Sequence, residues 1–326
     1  MIFINHTQVN ADFLINIKKE IELYDALRNK KILFNDLLIS IRNDETKMNI
    51  LLKILNINNV FFNELLDVSN KLKYSDKKVT YSPEYYLILI LHVKNNMNNW
   101  KSLQKLLLCH SPYKSIYNQF LRWSHKDLLE KIFKKYLNKN IEKIKDIQII
   151  DASSISNLYG SENVTINPEY TKKKVTKVSL LCDKQKIITS LCLFKTHTKE
   201  KKFKNKNIVT FEHDSKTIQN TIDNGIKNLK IEKIIGDGGY KTNNIIKNNK
   251  KKITIITPNR KNQKNNLNSK NEEKELKERY KIENVFGLLK MNNSRILVRK
   301  DRKIKNFLSW FYIACLEHNI KMFKRV

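Results

Sequence analysis

Apolar residues in the first third of the chain return at helical steps. Ile21, Leu23, Leu27, Ile32, Leu37, Ile39 and Ile41 form one series. Leu51, Leu52, Ile54, Leu55, Phe61, Phe62 and Leu65 form a second, within Ile50 to Leu66. Neither series contains Gly or Pro, so residues 1–75 are predicted to be all-helical. Tyr74 to Tyr81 reads as a linker, and Ser82-Pro83 starts the next helix, because proline is tolerated in the first helical turn. Residues 76–143 then read as short helices at Pro83 to Lys94, Trp100 to Leu108, Tyr113 to Trp123 and His125 to Leu137, with a turn at Cys109-His-Ser-Pro112.

Near residue 144 the period changes from helical to strand-like. Ile147-Gln-Ile-Ile150 ends at Asp151, and the β-branched runs Val175 to Cys182 and Ile187 to Phe194 are joined by a hairpin-like Asp183-Lys-Gln-Lys186. A Lys-rich loop from Lys195 to Lys206 follows, then a helix capped by Asp214 or Ser215 and running through Ile226. Strands are predicted at Ile231 to Gly236 and Ile253 to Ile256, with a short helix at Asn243 to Asn249 between them. Asn259 to Lys270 reads as a loop. A long helix starts near Asn271, with Glu272, Glu273 and Glu275 at its positive end, and runs to about Met291. Ile304 to Phe323 closes the chain as a helix. Residues 144–326 therefore read as an α/β domain with a mixed sheet and flanking helices.

Charge sharpens the picture. The 326 residues carry 63 Lys+Arg against 32 Asp+Glu, a net charge of +31. Such an excess repels itself unless a polyanion is the usual partner, which points to nucleic acid and to salt-dependent binding. AT-rich coding DNA also favours Lys, alongside Asn and Ile, and is the plainer source of part of the excess. Lys195 to Lys206 and Lys247 to Lys252 are the densest basic runs. In the helix at Tyr113, Lys114, Asn118 and Arg122 suit a helix-turn-helix reader of the major groove, and a plain helical bundle with a solvated face fits the same pattern.

Other classes are disfavoured. Cys109, Cys182, Cys192 and Cys315 show neither CxxC pairs nor zinc-ligand spacing, so neither a structural zinc nor a disulfide framework is expected. No apolar run approaches the roughly 18 residues of a membrane span. Met1 to His6 lacks the basic start and cleavage site of a signal peptide. The expectation is an intracellular protein without membrane contact: cytoplasm or nucleoid in a prokaryote, nucleus or virus factory in a eukaryotic or viral setting.

Three acidic residues stand out by position. Asp151 ends the first strand and Asp237 follows the fourth, within Gly236-Asp-Gly-Gly-Tyr240; Glu283 lies on the long helix. If those two strands are neighbours, two carboxylates lie side by side and a crossing helix supplies the third. Hard oxygen ligands suit Mg²⁺ or Mn²⁺. Two such ions, ~4 Å apart, can serve in-line phosphoryl displacement. Arg279 and Lys290 share the helix face of Glu283, with Gly287 leaving room, while Ile282, Val285, Phe286 and Leu289 form the packing stripe. Each acidic residue also has a plain structural role open to it, Asp237 as a turn cap and Glu283 in a salt-bridged face. His197 and His213 read as loop or capping residues.

Asp151 after an apolar strand, Gly236-Asp-Gly-Gly-Tyr240 and Arg279-x3-Glu283-x6-Lys290 together resemble the DDE transposases of bacterial insertion sequences, of the fourth and fifth groups. The likeness runs from about Trp100 to the C-terminus. It includes Tyr113 to Trp123, Glu212-His-Asp214-Ser and the Arg-rich tail from Arg295 to Asp301. It implies a ribonuclease-H-like catalytic domain over 144–326. It also implies strand cleavage at transposon ends and transfer of the free 3′-hydroxyl into target DNA. Asp151, Asp237 and Glu283 would then hold two Mg²⁺ ions, with Mn²⁺ as a substitute. Arg279, Lys290, Arg295 and Arg299 would bind double-stranded DNA, and two copies of the chain are expected on it. The family's tyrosine three residues before the Arg is here Leu276, and the 45 residues between Asp237 and Glu283 leave no room for a large inserted β-domain. A domesticated DNA-binding descendant and a ribonuclease-H-like nuclease are the competing readings; the presence of all three acidic residues argues against the first.

Overall fold

The computed structural model describes residues 22, 34–41, 43–55, 57–70, 81–95, 100–103, 113–166, 174–201, 206–242, 245–248, 250–259 and 268–325. The expectations for the remainder of 1–33, for most of the linker before Tyr81, for 104–112 and for the middle of the 259–270 loop lie outside the described residues. The chain divides into two units, Met1–Trp123 and Ser124–Val326.

Among the described residues the first unit is helical. Helices α1 (Phe34–Ile41), α2 (Glu45–Ile54), α3 (Asn59–Asn70) and α4 (Pro83–Asn95) precede a 3-10 turn at Trp100–Ser102 and α5 (Tyr113–His125). Asp44 caps α2, its Oδ1 accepting from Lys47 N at 3.0 Å. Most of the expected apolar positions form the core: Leu37 and Ile41, then Leu51, Leu52 and Leu55, then Phe61, Phe62 and Leu65; Ile39 is instead exposed and its neighbour Leu38 is buried. Helix α4 is buried along Tyr85 to Val93, as befits a helix apolar on all sides. Trp100 packs on Tyr117 and Phe120, with ring centroids 5.3 and 5.4 Å apart.

In the second unit α6 (Leu128–Lys139) leads to β1 (Ile147–Asn157). Strands β2 (Thr165–Ile166), β3 (Lys174–Asp183) and β4 (Ile188–Leu193) follow, then β5 (Thr196–Lys201), β6 (Lys206–Phe211) and α7 (Asp214–Asp223). Next come β7 (Lys233–Ile235), β8 (Lys247–Asn248), β9 (Lys251–Lys252) and β10 (Thr254–Ile256). The chain ends with α8 (Lys270–Leu276), α9 (Tyr280–Asn292), α10 (Ser294–Leu297), β11 (Val298–Arg299) and α11 (Ile304–Phe323). The main sheet has the order β10-β7-β1-β3-β2, with β4 on β3 and β11 on β1. Pairs β1–β7, β7–β10 and β1–β11 are parallel, whereas β1–β3, β2–β3 and β3–β4 are antiparallel, so the sheet is mixed.

The β3–β4 link is the predicted hairpin. Lys186 takes the left-handed conformation at φ 68. The buried Asp183 carboxylate accepts from the backbone N–H of Gln185 and Ile187 at 2.9 Å and of Lys145 at 3.0 Å. Helix α11 lies against α6, with Phe133 on Tyr312 and Tyr136 on Phe323. It also completes strand β4: Asn319 Oδ1 accepts from Ile188 N at 2.8 Å, and Asn319 Nδ2 donates to Ile188 O at 2.7 Å. Both groups are buried, so Asn319→Leu should strand them and cost about 1–3 kcal/mol. Thermal melting a few degrees below the unsubstituted protein is the expected readout; an unchanged midpoint would show that water replaces the amide.

Four local expectations give way. The Lys-rich segment after Lys195 is a hairpin, β5 on β6, with Thr196 opposite Phe211 and Thr198 opposite Val209. Its lysine content hid the β-branched residues Thr196, Thr198, Ile208, Val209 and Thr210, whose strand state depends on a pairing that local pattern does not contain. Residues 247–252 also form a hairpin, around Lys250 at φ 65, in place of the end of a helix at Asn243 to Asn249. The expected long helix is interrupted by a 3-10 turn at Lys277–Arg279 and begins with a capping box, Ser269 with Glu272. His213 rather than Asp214 or Ser215 is the cap of α7.

Candidate active site

Strand β1 keeps β3 along one side throughout but has two partners on the other. It pairs with β7 at Ile147–Ile149 and with β11 at Ser156–Asn157. Asp151 lies in the interval between them, half-buried, where α9 runs against the strand. Its Oδ1 accepts from Ala152 N at 2.8 Å. The register Ile149 to Ile235 places Asp237 level with Asp151, two residues beyond that pair on each strand.

Asp237 follows β7 with extended backbone and starts a 3-10 turn, Gly238–Tyr240, accepting from Gly239 N at 2.8 Å. Gly236 and Gly239 on either side of it are closely packed, whereas Gly238 has open space at its Cβ position. A Cβ at Gly236 would come within 3.0 Å of Ile150 Cγ2 and 3.1 Å of Tyr240 Cβ, so another residue there would have to push Ile150 or the buried Tyr240 aside by a few tenths of an ångström. A Cβ at Gly239 would lie 2.9 Å from Asp214 Oδ2 and 3.0 Å from Asp237 Oδ1.

Glu283 projects from α9, half-exposed, its Oε1 3.0 Å from Arg279 Nη2. Ile282, Val285, Phe286 and Leu289 are the buried stripe. Gly287, four residues on, has open space at its Cβ position and leaves the Glu283 face uncovered. Lys290 reaches back to β1, where its Nζ donates to Ser153 Oγ at 2.6 Å. Ser153 was not singled out by the sequence pattern, although it sits two residues past Asp151 on the same strand face. Burial holds the Lys290 ammonium below the ordinary lysine range.

The carboxylates share one electrostatic neighbourhood. Asp151 is pushed up to about 6, chiefly by burial, with the charges of Asp237 and Glu283 raising it further. The Ala152 N–H and the Arg279 guanidinium oppose the shift. Among the described residues no three His, Cys, Asp or Glu side chains form a ready-made cage for a metal ion. Like charges repel, and each carboxylate is engaged separately, by Ala152, Gly239 and Arg279 respectively. All are hard oxygen donors, and Asp151 lies close enough to feel both of the others; that chemistry fits Mg²⁺ or Mn²⁺.

Arg299 is corrected by the structure. It is fully buried, with Nε donating to Asp301 O at 3.1 Å, Nη1 to Glu162 O at 2.6 Å and Thr176 Oγ1 at 2.9 Å, and Nη2 to Arg302 O at 3.0 Å. A guanidinium so enclosed braces the loop after β1 and is out of reach of a DNA phosphate. Arg295 falls on α10, its side chain outside the described residues. Lys114, Asn118 and Arg122 lie exposed at four-residue intervals on α5. His197 is a strand residue opposite Thr210, and Cys182, Cys192 and Cys315 are free, buried thiols. Among the described residues no helix is long and apolar enough to cross a membrane.

No curated protein matches the chain. A solved structure, the cryo-EM structure of a piggyBac transposase synaptic complex with hairpin DNA, aligns over 82% of this chain and 73% of its own at 11% identity and TM-score 0.46. Residues 142–316, more than half of the chain, match the Transposase DDE domain family. That segment contains β1, the turn after β7 and α9, with Asp151, Asp237 and Glu283. The chain belongs to the DDE transposase family and is a DNA-cleaving, strand-transferring enzyme.

Proposed function

We propose that this transposase cuts at transposon ends and joins the freed 3′-hydroxyl to target DNA, with Asp151, Asp237 and Glu283 as ligands of two Mg²⁺ ions, for which Mn²⁺ can substitute. The observation that supports the reading is that Asp151, at the interval in the edge of β1, lies level with Asp237 and on the side where α9 carries Glu283. Enzymes of this family depend on divalent metal ions. Bound here, the ions would activate the attacking oxygen and stabilise the leaving one.

The chain's own residues prepare that step. Asp151 is set within a paired strand, which fixes it more firmly than a loop would, and Asp237 sits two residues past the end of β7 at the start of a short turn. Arg279 holds Glu283 through one ion pair. A DNA phosphate arriving at Arg279 competes for the guanidinium fork, and Glu283 is then released to turn toward Asp151. Lys290, steadied by Ser153, offers a point charge to phosphate from the same helix. Lys114, Asn118 and Arg122 supply groove and backbone contacts from α5, and Arg295 adds to the phosphate contacts. A homodimer follows from the need to hold two transposon ends at once.

The test is a labelled duplex carrying the element's end, incubated with Mg²⁺, Mn²⁺ or chelator beside a supercoiled target. Metal-dependent cleavage and joining of the labelled strand to the target are expected. Cutting without joining would move the reading to a nuclease, and metal-independent cutting would overturn it.

Binding should be dominated by phosphate contacts, with the exposed Lys195, Lys247, Lys251 and Lys252 among the contributors. Affinity for duplex DNA should fall by about 0.9 log unit per neutralised phosphate per log unit of salt. Fluorescence anisotropy across a salt series measures the slope; a flat line would refute the electrostatic account.

A further inference from the structure

Asp214 and Lys177 are an ion pair beside the Asp237 turn that the proposed reaction does not use. Asp214 opens α7 and forms an ion pair with Lys177 of β3; both side chains are only about a quarter exposed. The Lys177 ammonium is fixed a second time, 4.4 Å from the centroid of the Phe194 ring. With Oδ1 of Asp214 taken by Lys177, Oδ2 faces the turn. There it lies 2.9 Å from the point that a Gly239 Cβ would occupy, with Asp237 Oδ1 3.0 Å from the same point. Two carboxylates thus close on one glycine. The Tyr240 hydroxyl is pushed far up, by burial first and then by the charges of Asp214, Asp151 and Asp237.

We propose that Asp214 and Lys177 are a positioning pair, holding the Gly238–Tyr240 turn so that the Asp237 carboxylate is presented beside Asp151. The inference rests on the reading of Asp237 as a metal ligand. Asp214 sets where the turn can lie by contact at Gly239. Lys177 offsets the charge that Asp214 adds to a neighbourhood already holding Asp151, Asp237 and Glu283. Without Lys177 the Asp214 carboxylate would repel Asp237 and displace it. Without the Asp214 charge Lys177 would lose its anchor, and the turn would gain freedom. Supporting groups of this kind typically govern metal affinity or activity by about 10–100-fold.

The experiment measures Mn²⁺ binding to the DNA-free enzyme, read from the loss of the free-ion paramagnetic resonance signal. It covers Asp214→Asn, Lys177→Met, the double variant, Lys177→Arg and Asp237→Asn. Each single neutralisation should weaken Mn²⁺ binding by about 10–100-fold and raise the Mg²⁺ half-saturation of cleavage by the same factor. DNA affinity in gel shifts and the melting temperature should stay near the unsubstituted values, and saturating Mn²⁺ should restore cleavage. Lys177→Arg, which keeps the cation, should recover much of the loss. The double variant leaves no lone buried charge and carries the test if a single variant does not fold. Unchanged Mn²⁺ binding in the neutralised variants would overturn the proposal, as would melting and DNA binding falling while metal half-saturation stays put. Asp237→Asn separates the two readings. If it binds Mn²⁺ normally, Asp237 is not a ligand; if it alone loses Mn²⁺, the positioning pair is what fails.

Discussion

Glu283→Gln is expected to hold transposon-end DNA at least as tightly as the unsubstituted enzyme and to cut it about a thousandfold more slowly. The substitution keeps side-chain size and nearly all helix propensity on α9. It removes the charge that pairs with Arg279 at 3.0 Å, leaving the guanidinium to phosphate. It also removes a carboxylate that repels the DNA backbone. Cleavage suffers because a misplaced ion forfeits both activation of the attacking oxygen and stabilisation of the leaving one, a loss of several kcal/mol. At about 1.4 kcal/mol per tenfold, that is three orders of magnitude. Asp151→Asn and Asp237→Asn should fail in the same way. Lys290→Ala should differ in kind, slowing cleavage and weakening the grip on the DNA end while metal binding persists. Cleavage of labelled duplex beside a gel shift on the same DNA decides the matter. Unimpaired cutting by Glu283→Gln would pass the role of third ligand to Glu278, which is ion-paired with Lys281 in this structure.

Arg299→Met should cost the second unit about 4 kcal/mol, because it strands buried acceptors that now receive the guanidinium protons. In a unit of this size such a loss lowers the melting temperature by roughly 10 °C. Arg299→Lys should rescue little, since one ammonium cannot reach acceptors spread around a planar fork. Gly160→Ala should injure the same clamp from the other side, its Cβ falling 2.5 Å from the Arg299 guanidinium. Calorimetry or circular dichroism measures the midpoints. The salt dependence of DNA binding should be unchanged at temperatures where the variant is folded, because this charge contacts no phosphate. A variant that melts normally but shows a shallower salt slope would return Arg299 to the DNA-binding surface.

The sequence by itself determined the elements whose signals are local. Helix α11 matches its expected limits, Ile304 and Phe323, because a basic flank, an uninterrupted apolar run and the absence of Gly and Pro lie within the helix. The β3–β4 hairpin was legible in the same way, from two β-branched runs around Asp183 to Lys186. So were the position of Asp237 just past a strand and that of Glu283 beside Arg279 on a helix face; Asp151, expected to end its strand, instead lies inside β1, which continues to Asn157 because β3 stays paired with it beyond that point. Only the tertiary structure decided that β1 changes partner from β7 to β11 along one edge, which opens the interval where Asp151 meets α9. It alone turned Arg299 inward and made a hairpin of the Lys-rich segment after Lys195. It alone brought Asp214 over Gly239, although Asp214 had seemed no more than a helix start. Each of these depends on residues far apart in the chain. Strand pairing and burial are set by which partner arrives, and no window of neighbouring residues contains that partner.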